Sequence, residues 1–153
     1  MPQLELRTDI LASRDQVWQL ITDFAKQPDW FTVAEQVSVI SEGELEEGSE
    51  ISETGLCSMF SGEVVWSITE FNPVRRLSME AIDGKVEMVR SFDLIETIHG
   101  TRLFIKTEFE TDWWMEPVVW ASWFSTFRRR LRQAVRDSLE NAKEQLELVD
   151  QAA

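Results

Sequence analysis

The spacing of apolar and polar residues changes period twice along the chain, and each change marks a boundary between kinds of structure. Residues 3–11, Gln-Leu-Glu-Leu-Arg-Thr-Asp-Ile-Leu, alternate in character, with Leu4, Leu6, Thr8 and Ile10 in one phase, which predicts a strand. Ser13-Arg14-Asp15-Gln16 then has the form of a capping box, a hydroxyl at the N-cap and a side-chain amide three residues later. Val17, Leu20, Ile21 and Phe24 follow at helical spacing and predict a helix with one apolar face. Pro28 interrupts that pattern, so Gln27-Pro28-Asp29-Trp30-Phe31 reads as a turn or short second helix with two large rings to bury.

From about residue 34 to 112 the period falls to near two. Val37 and Val39 alternate with polar neighbours, and residues 49–56 form a weaker strand. Val64, Trp66 and Ile68 share a phase that Glu70 continues; Leu77, Met79 and Ala81 form the next set. Val86, Met88, Arg90, Phe92 and Leu94 alternate, then Leu103, Ile105, Thr107 and Phe109. Asn72-Pro73, Asp83-Gly84 and His99-Gly100 mark turns between them. Six strands on short loops predict an antiparallel meander covered on one face. Pro117 suits the first turn of a helix, and no Gly or Pro follows as far as Leu148. Trp120, Phe124, Phe127, Leu131, Val135, Leu139, Ala142 and Leu146 step by threes and fours in one stripe. A helix of about 30 residues would be a rod of roughly 45 Å, long enough to cross a small domain. The tail from Val149 to Ala153 is expected to fray.

A one-faced sheet needs a cover and a long amphipathic helix needs a surface, so the economical α+β arrangement wraps one curved sheet around the last helix. No repeat, linker or composition break divides residues 1–153, which read as a single domain. The order β-α-α-β6-α, with Ala12-Ser13-Arg14-Asp15-Gln16-Val17-Trp18 opening the first helix and Asp23 through Trp30 closing it, resembles the helix-grip fold of the START and birch-pollen-allergen-like superfamily. Trp66-Ser67-Ile68-Thr69-Glu70-Phe71-Asn72-Pro73, Arg75-Arg76-Leu77 and the long last helix add to the likeness, which is greatest for the bacterial polyketide cyclase/dehydrase-like (SRPBCC) branch. The resemblance implies a hydrophobic cavity between sheet and helix, used in different members for lipid carriage, hormone binding or catalysis.

Composition narrows the choice further. The chain of 153 residues is 43% hydrophobic and 28% charged, too apolar for disorder. No apolar run approaches the ~18 residues of a membrane span, and the start shows no basic segment leading into an apolar one, so neither an integral membrane protein nor a signal peptide is expected. One cysteine, Cys57, forbids an intramolecular disulfide framework and fits a reducing, cytoplasmic setting. One histidine, His99, rules out a multi-histidine metal site within one chain, and neither metal nor cofactor is expected. The net charge of −13 argues against nucleic acid as a partner.

Candidate chemistry is sparse. Trp113, Trp114, Trp120, Trp123, Phe124 and Phe127 crowd the start of the last helix, more ring surface than a stripe needs. They line a pocket, pack as solid core, or form an exposed patch for a partner or a homodimer. Strict alternation points Arg90 inward, where a guanidinium requires a carboxylate, for instance Glu70, or a ligand carboxylate or carbonyl. His99 reads as a solvated turn histidine, and Cys57 as a small buried or rim residue with no neighbour in sequence to activate it. Asp29 is a turn carboxylate or an acid near the cavity mouth. Glu42, Glu44, Glu46, Glu47, Glu50 and Glu53 read as a solvated acidic hairpin. Arg128, Arg129, Arg130, Arg132 and Arg136 read as a helix face salt-bridged to nearby acids. The expected function is binding of a hydrophobic small molecule or lipid, walled by Trp66, Met88, Phe92, Trp120, Phe124 and Phe127 with Arg90 as polar anchor. A cyclase/dehydratase-type enzyme using the same cavity and an interaction module docking through the Trp-rich segment stay open as alternatives.

Overall fold

The computed structural model describes residues 3–58, 62–82, 87–110 and 117–152; within these, the side chains of 110, 117–123 and 149–152 are not described. The elements are β1 (Gln3–Ile10), α1 (Arg14–Thr22), a 3-10 helix (Phe24–Asp29), β2 (Ala34–Val39), β3 (Glu50–Gly55), a 3-10 turn (Leu56–Ser58), β4 (Val64–Asn72), β5 (Arg76–Ala81), β6 (Glu87–Glu96), β7 (Thr101–Glu110) and α2 (Pro117–Ala152). The seven strands form one curled antiparallel sheet in the order β1-β7-β6-β5-β4-β3-β2. The meander accounts for six of them, and β1 adds to β7 with an unbroken register from Gln3↔Glu108 to Ile10↔Thr101.

Local chemistry sets the first helix. The Ser13 hydroxyl accepts from the Gln16 N–H at 3.2 Å while the Gln16 side-chain oxygen accepts from the Ser13 N–H at 2.9 Å, so the capping box is complete. Val17 and Ile21 turn into the core, and Trp18 meets Phe71 edge-on with ring centroids 5.4 Å apart. Pro28 lies inside the 3-10 helix, which seats Phe24, Trp30 and Phe31 in the core.

The last helix has 36 residues, about 54 Å at the standard rise. Phe127, Leu131, Val135, Leu139, Ala142 and Leu146 are buried, as the stripe predicts. The helix is also pinned by hydrogen bonds to the segments that flank the strands. The Thr32 N–H donates to Ser138 Oγ (2.9 Å) and the Thr32 hydroxyl to the Ala134 carbonyl (3.0 Å). The Asn141 amide donates to the Trp30 carbonyl (3.2 Å) and the Leu11 N–H to Glu147 (3.2 Å).

Four expectations are corrected. The helix does not fray at Val149 but runs through Ala152. Glu70 does not continue the inward phase of Trp66 and Ile68. The register shifts between Ile68 and Glu70, so Glu70 faces Ser78 and Phe71 takes the inward place opposite Leu77. Glu70 instead bonds Arg76 at 2.7 Å, alongside Asp93, on the other face of the sheet. Glu53 is not part of a solvated hairpin; it is buried. Finally, among the described residues Arg128, Arg129, Arg130, Arg132 and Arg136 form no ion pair. The positions four residues on from the first four are Arg132, Gln133, Ala134 and Arg136, so for these the helix supplies no acid at that spacing; Arg136 has Glu140 four residues on but forms no ion pair with it. The Asp83-Gly84 hairpin, Val86, Trp113 and Trp114 lie outside the described residues, as do the side chains of Trp120 and Trp123.

Two substitutions test this packing. Leu131→Ala should lower unfolding free energy by about 2–5 kcal/mol through cavity formation, and Ser13→Ala by about 1 kcal/mol through loss of the cap. Chemical denaturation with unchanged m-values would check both.

Candidate functional site

The centre of the sheet's inner face is built mainly by β6. Met88, Arg90, Phe92 and Leu94 alternate inward and are all buried. Register sets their neighbours: Arg90 stands beside Met79 and Thr107, Phe92 beside Leu77 and Ile105, and Met88 beside Phe109. A guanidinium that is 1% exposed thus sits in an apolar surround.

Its partner is Glu53, 2% exposed, carried on β3 in the same phase as Ile51. Arg90 Nη1 donates to Glu53 Oε1 at 2.6 Å and Nη2 to Oε2 at 3.0 Å, a two-pronged pair. The guanidinium carbon also lies 4.3 Å from the Trp66 ring centroid and 4.9 Å from that of Phe31. Burial works against the charge on Arg90, but the attraction and hydrogen bonds of Glu53 outweigh it, and the guanidinium is held charged more firmly than usual. Arg90 Nε is buried with no acceptor, and so is the indole Nε1 of Trp66.

Cys57 completes the cluster. Arg90 Nη2 reaches its Sγ at 3.5 Å, a cationic neighbour that sequence adjacency does not show. Burial nevertheless dominates and pushes the thiol from its ordinary 9.0 up to about 11, with the Arg90 charge only partly opposing it. The thiol is therefore protonated at neutral pH and is a poor nucleophile.

A groove of about 350 Å³ opens between the sheet margin and α2, lined by Thr32, Glu35, Gly55, Leu56, Arg130 and Ala134. That volume falls within the ordinary range of small-molecule sites. Its lining abuts the cluster in sequence: Thr32 follows Phe31, and Leu56 precedes Cys57, the two residues that touch Arg90 from this side. Gly55 makes the margin close-fitting. Its φ is +148°, and a Cβ there would collide with the Val33 carbonyl oxygen.

The residues expected to wall a cavity fall into two connected groups. Trp66 meets Arg90, and Arg90 is joined to Phe92 by Phe31, whose ring centroid is 6.0 Å from that of Phe92. Phe124 and Phe127 both pack edge-on against Phe109, at 5.8 and 5.3 Å, and Met88 lies opposite Phe109 in the strand pairing. The backbone of Trp120 lies in α2. Sequence reasoning missed Glu53, Phe31 and Phe109. Glu53 was findable, because it shares the phase of Ile51. The remaining candidates stay outside this cluster's contacts: His99, Asp29, Glu42, Glu44, Glu46 and Glu47 are exposed.

The cluster makes two predictions. Alkylation of Cys57 by iodoacetamide in the native protein should be far slower than that of free cysteine at neutral pH and should rise with pH toward about 11. Because the folded protein holds this proton more tightly than the unfolded chain, the stability it contributes is full below about 9 and is lost as pH climbs to about 11. Glu53→Gln should destabilise the fold by about 3–5 kcal/mol, read by denaturant titration, since it leaves a buried guanidinium without its counter-charge.

Comparison with known proteins places this geometry in context. Residues 1–147 match the family described as polyketide cyclase / dehydrase and lipid transport. No curated protein matches. Solved structures that resemble the chain include the Zhui aromatase/cyclase from a Streptomyces species, 15% identical over 95% of this chain and 93% of that one, with a TM-score of 0.72. A START superfamily protein from Mycobacterium smegmatis is 13% identical over 94% and 98%, with a TM-score of 0.73. The di-domain aromatase/cyclase StfQ of the steffimycin biosynthetic pathway is 11% identical over 97% of this chain and 51% of that one, with a TM-score of 0.75. At these identities the structures share the fold. The family match over nearly all of the sequence establishes more: the chain belongs to the polyketide cyclase / dehydrase and lipid transport family.

Proposed function

We propose that the protein binds an apolar small molecule or lipid between the curled sheet and α2, reached through the groove at Thr32, Leu56 and Ala134. The groove itself carries this reading. It is of ligand size, and two of its lining residues, Thr32 and Leu56, are chain neighbours of Phe31 and Cys57, which touch Arg90 on the largely apolar inner face. Trp66, Met88, Phe92, Phe124 and Phe127 form the wall, with Trp120 added by its place on α2 and Arg90 as the polar anchor. Removing apolar surface from water, at roughly 25 cal/mol per Å², supplies the affinity.

The same cluster argues for binding over proton transfer. Glu53 is committed to Arg90 and Cys57 is held protonated, so neither is free to act as a base at neutral pH. No described helix is long and apolar enough to cross a membrane.

Native mass spectrometry of protein purified from cells should show a co-purifying apolar molecule. Ala134→Trp, which fills the groove, should weaken uptake of a neutral apolar dye such as Nile red by about tenfold or more while far-UV circular dichroism stays unchanged. Undiminished dye binding in that variant would refute the groove as the route.

A further inference from the structure

The charges of α2 are sorted along its length. Residues 128–136 hold five arginines and no acid, whereas residues 137–147 hold Asp137, Glu140, Glu144 and Glu147 against the single cation Lys143. Arg128, Arg132, Arg136, Glu140 and Glu144 follow one another in steps of four, so they form one row on the helix surface, three cations and then two anions. Arg132, Arg136, Glu140 and Glu144 are all exposed, on the side away from the buried stripe of Leu131, Val135, Leu139 and Ala142. Within one chain this order is unfavourable, because like charges four residues apart repel. Only Arg136 and Glu140 are placed to attract. Their cation stands on the N-terminal side, the poorer orientation, and they form no ion pair. Among the described residues, none of the row is ion-paired to the sheet either.

Such a row is complementary to itself reversed. Two copies of α2 can lie antiparallel about a twofold axis level with the midpoint of Arg136 and Glu140. Arg136 of each copy then faces Glu140 of the other, and Arg132 of each faces the other's Glu144. Arg132 and Glu144 stand about 18 Å apart along their own helix, so the two charges can meet only between copies. Rows of this spacing laid on one another cross the helices at roughly 50°, the commonest class of helix pair.

The sorting also selects the occupant. A foreign acidic surface would match the arginines and set like charge against Glu140 and Glu144, whereas a second copy matches both halves at once. Each copy carries a net charge of −13, but at physiological ionic strength that repulsion is largely screened beyond about 8 Å, while the facing side chains touch.

We propose that the outward face of α2 is a self-association surface on which a second copy of this chain docks antiparallel, with Arg132 against Glu144 and Arg136 against Glu140. The surface lies opposite the stripe that covers the sheet, so the inference stands independently of ligand binding.

Sedimentation equilibrium at sub-millimolar protein and physiological salt tests it. The wild type should associate toward twice the monomer mass. Arg132→Glu and Glu144→Arg should each weaken association by at least about tenfold, since each sets like charges against one another at two symmetric places. An equimolar mixture of the two variants should regain it, because one chain then offers two acids where the other offers two arginines. Both positions are exposed, and unchanged far-UV circular dichroism verifies that each variant folds. A wild type that stays monomeric, association unaffected by Arg132→Glu, or a mixture that fails to associate overturns the proposal.

Discussion

A curled sheet with an apolar inner face cannot cover that face with its own strands, and this constraint organises the molecule. The cover is α2, whose residues Phe127, Leu131, Val135, Leu139, Ala142 and Leu146 repeat at the helical period and so present one continuous apolar side. The 3-10 helix adds Phe24, Trp30 and Phe31. The core is consequently one cluster, drawn from every strand from β1 to β7 and from both α-helices. Nothing local to a single strand would be stable without that shared burial.

Among the described residues, one fully buried ion pair lies within this apolar layer, and it is tolerated because its geometry is nearly complete. Glu53 takes two hydrogen bonds from Arg90, Cys57 takes a weaker third, and two aromatic faces lie against the guanidinium. Such a pair contributes little net stability compared with apolar residues of the same size. Its effect is on character: it places a charged pair of polar groups in an interior that is otherwise mostly apolar. The contrast with the opposite face is instructive. There Arg76 gathers Glu70 and Asp93 at 2.7 Å with water at hand, and exposed contacts of that sort are worth ~0–1 kcal/mol each.

The fold was largely legible from period alone, since both the capping box at Ser13 and Gln16 and the stripe of α2 are signals carried within a few neighbouring residues. The site was legible only in part. Alternation turned Arg90 inward correctly because β6 pairs without interruption on both sides. It failed at Glu70 because one extra residue in β4 resets the phase, and a bulge leaves no mark in composition. It also lost Glu53 among its acidic neighbours, although its spacing from Ile51 is the spacing of an inward pair. Contact between Cys57 and Arg90 depends on the 3-10 turn after β3 meeting β6, 33 residues on, in space, which no local pattern encodes.

The two outermost strands, β1 and β2, are not paired with each other, so the ladder of backbone bonds stops short of closing into a barrel. Along the β2 margin the seam is stitched to α2 by Thr32, Ser138, Ala134, Trp30 and Asn141 through a handful of hydrogen bonds. The capacity of the interior is therefore not fixed by strand number and tilt, as in a closed cylinder. Displacing α2 from that rim would break those few stitches and uncover its buried apolar stripe, yet leave every rung of the sheet intact.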